Sequence, residues 1–181
     1  MRASSSGILA ILALALVSAC SQPKERPWQV DLDEDEKSWK ELKVEAPAYP
    51  KPENLVRVNT GAATAHEFYV DTSSITVSED GVVRYVVVAR AAGGATNVSF
   101  EGMRCETRER KLYALGRNDH SWAQARDTKW ERVVLRDLTP HHHTLYHEYF
   151  CAQRTRPTAP WQAIDALKRG VGLRPQVGSD G

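Results

Sequence analysis

His141, His142, His143, His147 and Glu148 form the densest run of metal-ligating side chains in the chain. His143 and His147 stand at i, i+4, a spacing that sets two imidazoles on one helical face, and neutral imidazole suits zinc or copper. Two ligands do not complete a site. A metalloprotease helix would also need glutamate directly after its first histidine, where Thr144 stands. Two readings stay open, a metal-binding or carrier protein using His143 and His147, and a solvated or capping histidine group. Other chemistry is thinner. No G-x-S-x-G is present, and Gly93-Gly94 lacks the lysine and helix start that phosphate cradling requires. Arg104, Arg108, Arg110, Lys111 and Arg117 make a basic stripe, but Glu101, Glu106 and Glu109 interleave with it, which favours a cross-strand charge ladder over an anion site. The five tryptophans are scattered and read as core packing. No catalytic residue and no cofactor are expected.

Compartment is read from the other end of the chain. Arg2 precedes the apolar run Ile8 to Val17, which is too short for a permanent membrane span and suits an export signal. Val17-Ser18-Ala19-Cys20 resembles the lipobox of bacterial lipoproteins, which implies cleavage before Cys20 and lipidation of Cys20. Ser21 is not the aspartate that retains such proteins in the inner membrane, so the resemblance favours the periplasmic side of the outer membrane in a Gram-negative bacterium. Lys and Arg number 24 against 23 Asp and Glu, so no charge excess argues for nucleic acid. In an oxidising compartment the remaining cysteines, Cys105 and Cys151, have one possible pairing. Two buried free thiols are the alternative.

These groups need elements to hold them. Residues 1–19 read as the signal peptide, 20–45 as a Pro- and charge-rich lipidated tether, 46–173 as the globular domain and 174–181 as a disordered tail. Asp33 can cap a short helix within the tether, with Trp39 and Leu42 as its apolar pair. Phe68-Tyr69-Val70 and Ile75-Thr76-Val77 predict two short strands separated by a turn at Asp71 to Ser74. Val82 to Ala89 is the clearest central strand. Asn97 to Cys105 follows, with Val98 and Phe100 on one face and Met103 and Cys105 on the other, then Lys111 to Leu115. Short loops join these runs and predict antiparallel pairing. His142 to Phe150 predicts a helical turn or two. A final helix is capped by Thr158 and started by Pro160, with Trp161, Ile164 and Leu167 facing the sheet and Gly170 ending it. The fold class is α+β, a mainly antiparallel sheet of about six strands with one or two short C-terminal helices.

Pro47 to Pro50, Phe68 to Asp71, Asp80 to Tyr85, Asn97 to Cys105 and Leu145 to Cys151, in that order, resemble the CNP-one-like family of proteobacterial lipoproteins. The likeness runs from about Trp39 to Gly170. It implies an envelope compartment, supports the Cys105 to Cys151 pairing, and carries over no activity, ligand or catalytic residue. The expected function is a non-enzymatic binding or envelope-assembly module, held to the membrane through Cys20 and meeting an envelope protein or a small-molecule ligand. The alternatives are the metal carrier and an enzyme of another type.

Overall fold

Valine-rich runs favour extended backbone because two branches on Cβ restrict χ1, and the run from Val82 becomes the centre of a sheet. The computed structural model describes residues 39–61, 64–136, 138–170 and 172, all within the unit that begins at Trp39. Its strands are β1 (Leu55–Val58), β2 (His66–Val77), β3 (Val82–Ala91), β4 (Thr96–Arg104), β5 (Glu109–Gly116), β6 (Trp122–Gln124) and β7 (Glu131–Arg132). They pair antiparallel in the order β1-β2-β3-β4-β5-β6, and β7 joins β5 beside β6. The architecture is the expected α+β one, with a seventh, two-residue strand. The signal segment, Cys20, Asp33 and the tail 174–181 lie outside the described residues.

Residues Asp71 to Ser74 do not break the chain into two strands. Asp71 Oδ1 accepts from both the Ser73 amide at 2.9 Å and the Ser73 hydroxyl at 2.6 Å, and Ser74 Oγ accepts from the Val86 amide at 2.8 Å. The side chains thus supply partners where the ladder register slips, so a bulge forms inside β2 instead of a turn. The reversal comes later, at Ser78 to Gly81, where Gly81 takes φ 80° and its amide bonds Ser78 O at 3.0 Å.

Alternation along the strands sorts the core into two faces. Val83, Tyr85 and Val87 of β3 and Met103 of β4 join Val70 and Cys105 on one face. Val86, Val88, Val98, Phe100 and Ala114 make the other. The first face is covered by α1 (Pro140–Thr144), the π-helical turn Leu145–Phe150 that continues it, and α2 (Pro160–Arg169). The wider π turn, closed by the Cys151 amide on Tyr146 O at 2.9 Å, buries Leu145, Tyr146, Tyr149 and Phe150 together. Cys105, next after β4, is disulfide-bonded to Cys151, next after the π turn, with their Cα atoms 5.1 Å apart.

The second face is covered by the segment from Trp39 to Tyr49, of which residues 39–45 were expected in the tether. Trp39 Nε1 donates to Asp80 O at 2.8 Å, the Leu42 amide donates to Asp80 Oδ2 at 2.9 Å, and Trp122 Nε1 donates to Pro47 O at 2.9 Å. No helix forms over 39–47. Beneath the segment, Arg84 Nη2 meets Asp80 Oδ2 at 2.6 Å, both side chains buried.

Helix α2 differs from its sequence pattern in two ways. Thr158 is not the acceptor cap; its amide and hydroxyl both donate to Gln162 Oε1, at 2.7 and 3.1 Å. Ala163, Ala166 and Leu167 face the sheet, which leaves Trp161 62% exposed because at 100° per residue it falls on the opposite side. Ile164 packs at the edge and Gly170 closes the helix with φ 63°. Leu167→Ala is expected to lower the unfolding free energy by about 2 to 5 kcal/mol. A urea melt at neutral pH measures it, and Trp161→Ala should shift the same melt far less.

Candidate functional site

Glu101 reaches the helix-covered face by strand parity: Ser99, Glu101 and Met103 alternate with Val98, Phe100 and Gly102 along β4. Directly across the ladder stands Tyr85 of β3. The Tyr85 hydroxyl donates to Glu101 Oε2 at 3.3 Å, and the Ser99 hydroxyl donates to Glu101 Oε1 at 2.7 Å. Pro140 starts α1, where its missing N–H costs nothing, and the next two residues deliver imidazoles to the same place. His142 Nε2 lies 2.8 Å from Glu101 Oε2. The His141 ring stacks on Phe68 of β2 with centroids 4.1 Å apart, and lies 3.9 Å from the His142 ring. All three side chains are buried. Nδ1 of His141 is buried with no hydrogen-bond partner.

Burial by itself would raise the Glu101 carboxyl, but attraction and a hydrogen bond from His142 outweigh it and hold the group far below the ordinary carboxylate range. With Glu101 ionised, the proton between the two groups belongs on His142 Nε2, which donates. Burial, helped by repulsion from His142, pushes His141 down to about 3 against the pull of Glu101, so it is a neutral imidazole. The phenol of Tyr85 is pushed up by burial and the neighbouring carboxylate, and it stays a donor.

The set is not a hydrolytic triad. There the imidazole bridges nucleophile and carboxylate; here Glu101 is the bridge, and the Ser99 hydroxyl donates its hydrogen bond to the carboxylate, not to an imidazole. Two imidazoles and a carboxylate are also metal-ligand groups. Among the described residues, the one group of three His, Cys, Asp or Glu side chains whose ligand atoms all lie within 4.8 Å of one another is Glu101, His141 and His142.

A model of the CNP1-like family matches residues 34–168. The chain belongs to the CNP1-like family. No curated protein and no solved structure matches it. The span matched in this CNP1-like chain takes in every strand among the described residues, the disulfide and all three residues of the buried cluster.

The remaining candidates fall elsewhere on the CNP1-like domain. His143 and His147 do lie side by side, ring centroids 4.3 Å apart, with His143 half-buried and His147 exposed. Burial and the charge of His143 lower His147. The charge ladder forms only in part: Arg104 pairs with Glu109 at 3.6 Å as expected, whereas Arg110 and Lys111 take carboxylates from outside the run, Glu131 at 2.9 Å and Glu41 at 2.6 Å. Glu101 is no part of it, which corrects its place in the sequence reading. Parity with Met103 and Cys105 was the signal that could have moved Glu101 to the buried face. The described tryptophans, Trp39, Trp122, Trp130 and Trp161, are not the core packing expected of them: Trp39 and Trp130 meet edge-on at 5.8 Å, Arg104 lies 3.8 Å over Trp39, and none of the four is fully buried.

Proposed function

We propose that this CNP1-like protein is a lipid-anchored protein of the periplasmic face of the outer membrane that works by binding an envelope protein. The observation that carries the reading is the connection between β7 and α1. Val134, Leu135 and Leu138 are 42%, 66% and 76% exposed there, flanked by exposed Arg132 and Arg136. Side chains of that size cost free energy in water, about 25 cal/mol for each Å² left uncovered, and an apolar centre with a charged rim is the pattern of a docking loop. The partner chemistry that fits is an apolar groove edged by carboxylates. Anchoring supplies the address: the export signal and Cys20 motif imply acylation, and two or more acyl chains hold stably where one does not. No helix among the described residues is long and apolar enough to cross a membrane. Whatever its conformation, the chain between Cys20 and Trp39 reaches at most about 70 Å, so the partner lies close to the same bilayer. The cluster at Glu101 favours a second reading, as a metal-binding protein.

Photo-crosslinking in intact cells tests the docking loop. A photoreactive amino acid in place of Leu135 or Leu138 should give an adduct of one discrete mass, and the same group in place of exposed Lys168 should not. Adducts with lipid alone, or none, overturn the reading. Metabolic labelling with a fatty-acid analogue should mark the wild type and not Cys20→Ser; equal labelling overturns the anchor.

A further inference from the structure

Glu101 and His142 on their own make an ordinary buried hydrogen-bonded pair, each satisfying the other. His141 does not fit that account. Its ring is 4% exposed, yet Nδ1 meets no donor or acceptor, and a buried polar atom left unpaired is among the costlier defects of a folded protein. The segment has a cheap alternative, since an apolar ring would stack on Phe68 equally well without the unpaired nitrogen. An imidazole instead stands 3.9 Å from a second imidazole and near a carboxylate.

We propose that Glu101, His141 and His142 form a site for a divalent transition-metal ion of the zinc or copper class. The donor set, two imidazole nitrogens and one carboxylate oxygen, is the type those ions take, with a fourth position left for water or a ligand. Distances suit the size of the ion. Donors about 2.0 to 2.2 Å from a tetrahedral ion lie about 3.3 Å from one another, whereas Glu101 Oε2 and His142 Nε2 stand at 2.8 Å and all three ligand atoms lie within 4.8 Å. Small movements of two side chains convert one arrangement to the other. The ion takes the place of the proton held between His142 Nε2 and Glu101 Oε2, and that proton leaves to solvent. Ser99 and Tyr85 already fix the carboxylate through their hydroxyls, the outer-shell orientation that metal ligands require. The His143 and His147 pair lacks such support, with one ring half-buried and the other in solvent.

Two substitutions remove ligands while keeping packing. His141→Phe retains the stack on Phe68, and His142→Gln retains a donor toward Glu101. Calorimetric titration of the purified, disulfide-bonded protein with zinc and, separately, with copper is expected to saturate at one ion per chain with either metal or both. Each substitution should weaken that affinity at least about tenfold with the cooperative thermal melt preserved, and the His143→Ala, His147→Ala double variant should bind as the wild type does. Absence of saturable uptake of both metals by the wild type overturns the site. So does unchanged affinity in His141→Phe, or a loss that follows His143 and His147 instead.

Discussion

Glu101→Gln is expected to destabilise the domain by about 3 kcal/mol, the cost of setting an amide NH2 against a buried hydrogen-bond donor that had a carboxylate oxygen as its acceptor. The amide keeps the volume, so no cavity confuses the result. It has one acceptor oxygen where the carboxylate has two, so either Ser99, or Tyr85 together with His142, meets an NH2 donor in place of an acceptor. A pH series sharpens the expectation. Glu101 is depressed on folding, so its contribution is fully present above the ordinary carboxylate value of 4.5 and is lost as the pH falls below it. His141 is also depressed: between 6.5 and about 3 the unfolded chain binds a proton that the folded one refuses, so stability rises with pH across that window. Each unit of such a shift is worth about 1.4 kcal/mol. Urea midpoints for the wild type should therefore fall steadily from pH 7 to pH 4. His141→Phe should flatten that slope from pH 6.5 downward, and Glu101→Gln only the part below pH 4.5. Parallel curves for all three proteins would show that the buried groups do not titrate as described.

Removal of the disulfide should be comparable in size. Cys105 and Cys151 close a loop of sequence separation 46, and the chain-entropy model assigns such a loop about 4 kcal/mol of stabilisation through the unfolded state. Cys105→Ala and Cys151→Ala are expected to cost similar amounts, and the double variant little more than either, because both changes remove one bond. Denaturant melts of the four proteins measure this. The bond also ties the end of β4, the strand of Glu101, to the end of the π turn that follows His142. Tyr146 adds a second tie, its hydroxyl donating to Cys105 O at 2.8 Å. Loss of the disulfide should therefore loosen the buried cluster before the rest of the sheet, seen as faster hydrogen exchange at the His142 to Phe150 amides than at those of β3. Additive losses in the double variant would show two separately packed thiols.

Local pattern carries much of this molecule. The β-branched run from Val82, the turn at Asp80-Gly81, the opposed faces of Val98 and Phe100 against Met103 and Cys105, and the helix started by Pro160 and ended by Gly170 are all visible in the chain. Backbone sterics and two-residue or 3.6-residue periodicity act over a few neighbours, so composition alone declares them. Where side chains compete with the ladder, pattern misleads. Asp71 to Ser74 has turn composition, yet its hydroxyls and carboxylate satisfy a bulge within an unbroken strand. In the same way the polar, Pro-rich look of residues 39–45 hides hydrogen bonds to Asp80 that are 38 and 41 residues away.

The histidine run shows the division most clearly. Spacing by itself determined that His143 and His147 are neighbours, since i, i+4 contact is a property of any helix, and their rings do meet. It also determined the antiparallel sheet class, through short loops between strand-forming runs. Only the tertiary structure decided that His142 meets Glu101, 41 residues earlier, and that His141 is pressed onto Phe68 with a nitrogen left over. Such pairings depend on which helix end is laid over which strand, and that is settled by burial of Leu145, Tyr146, Tyr149 and Phe150 against the sheet and by the bond at Cys151. Hydrophobic packing is non-directional and long in sequence range, so no local spacing reports it, and the residues it brings together can be recognised as one group only after the chain has folded.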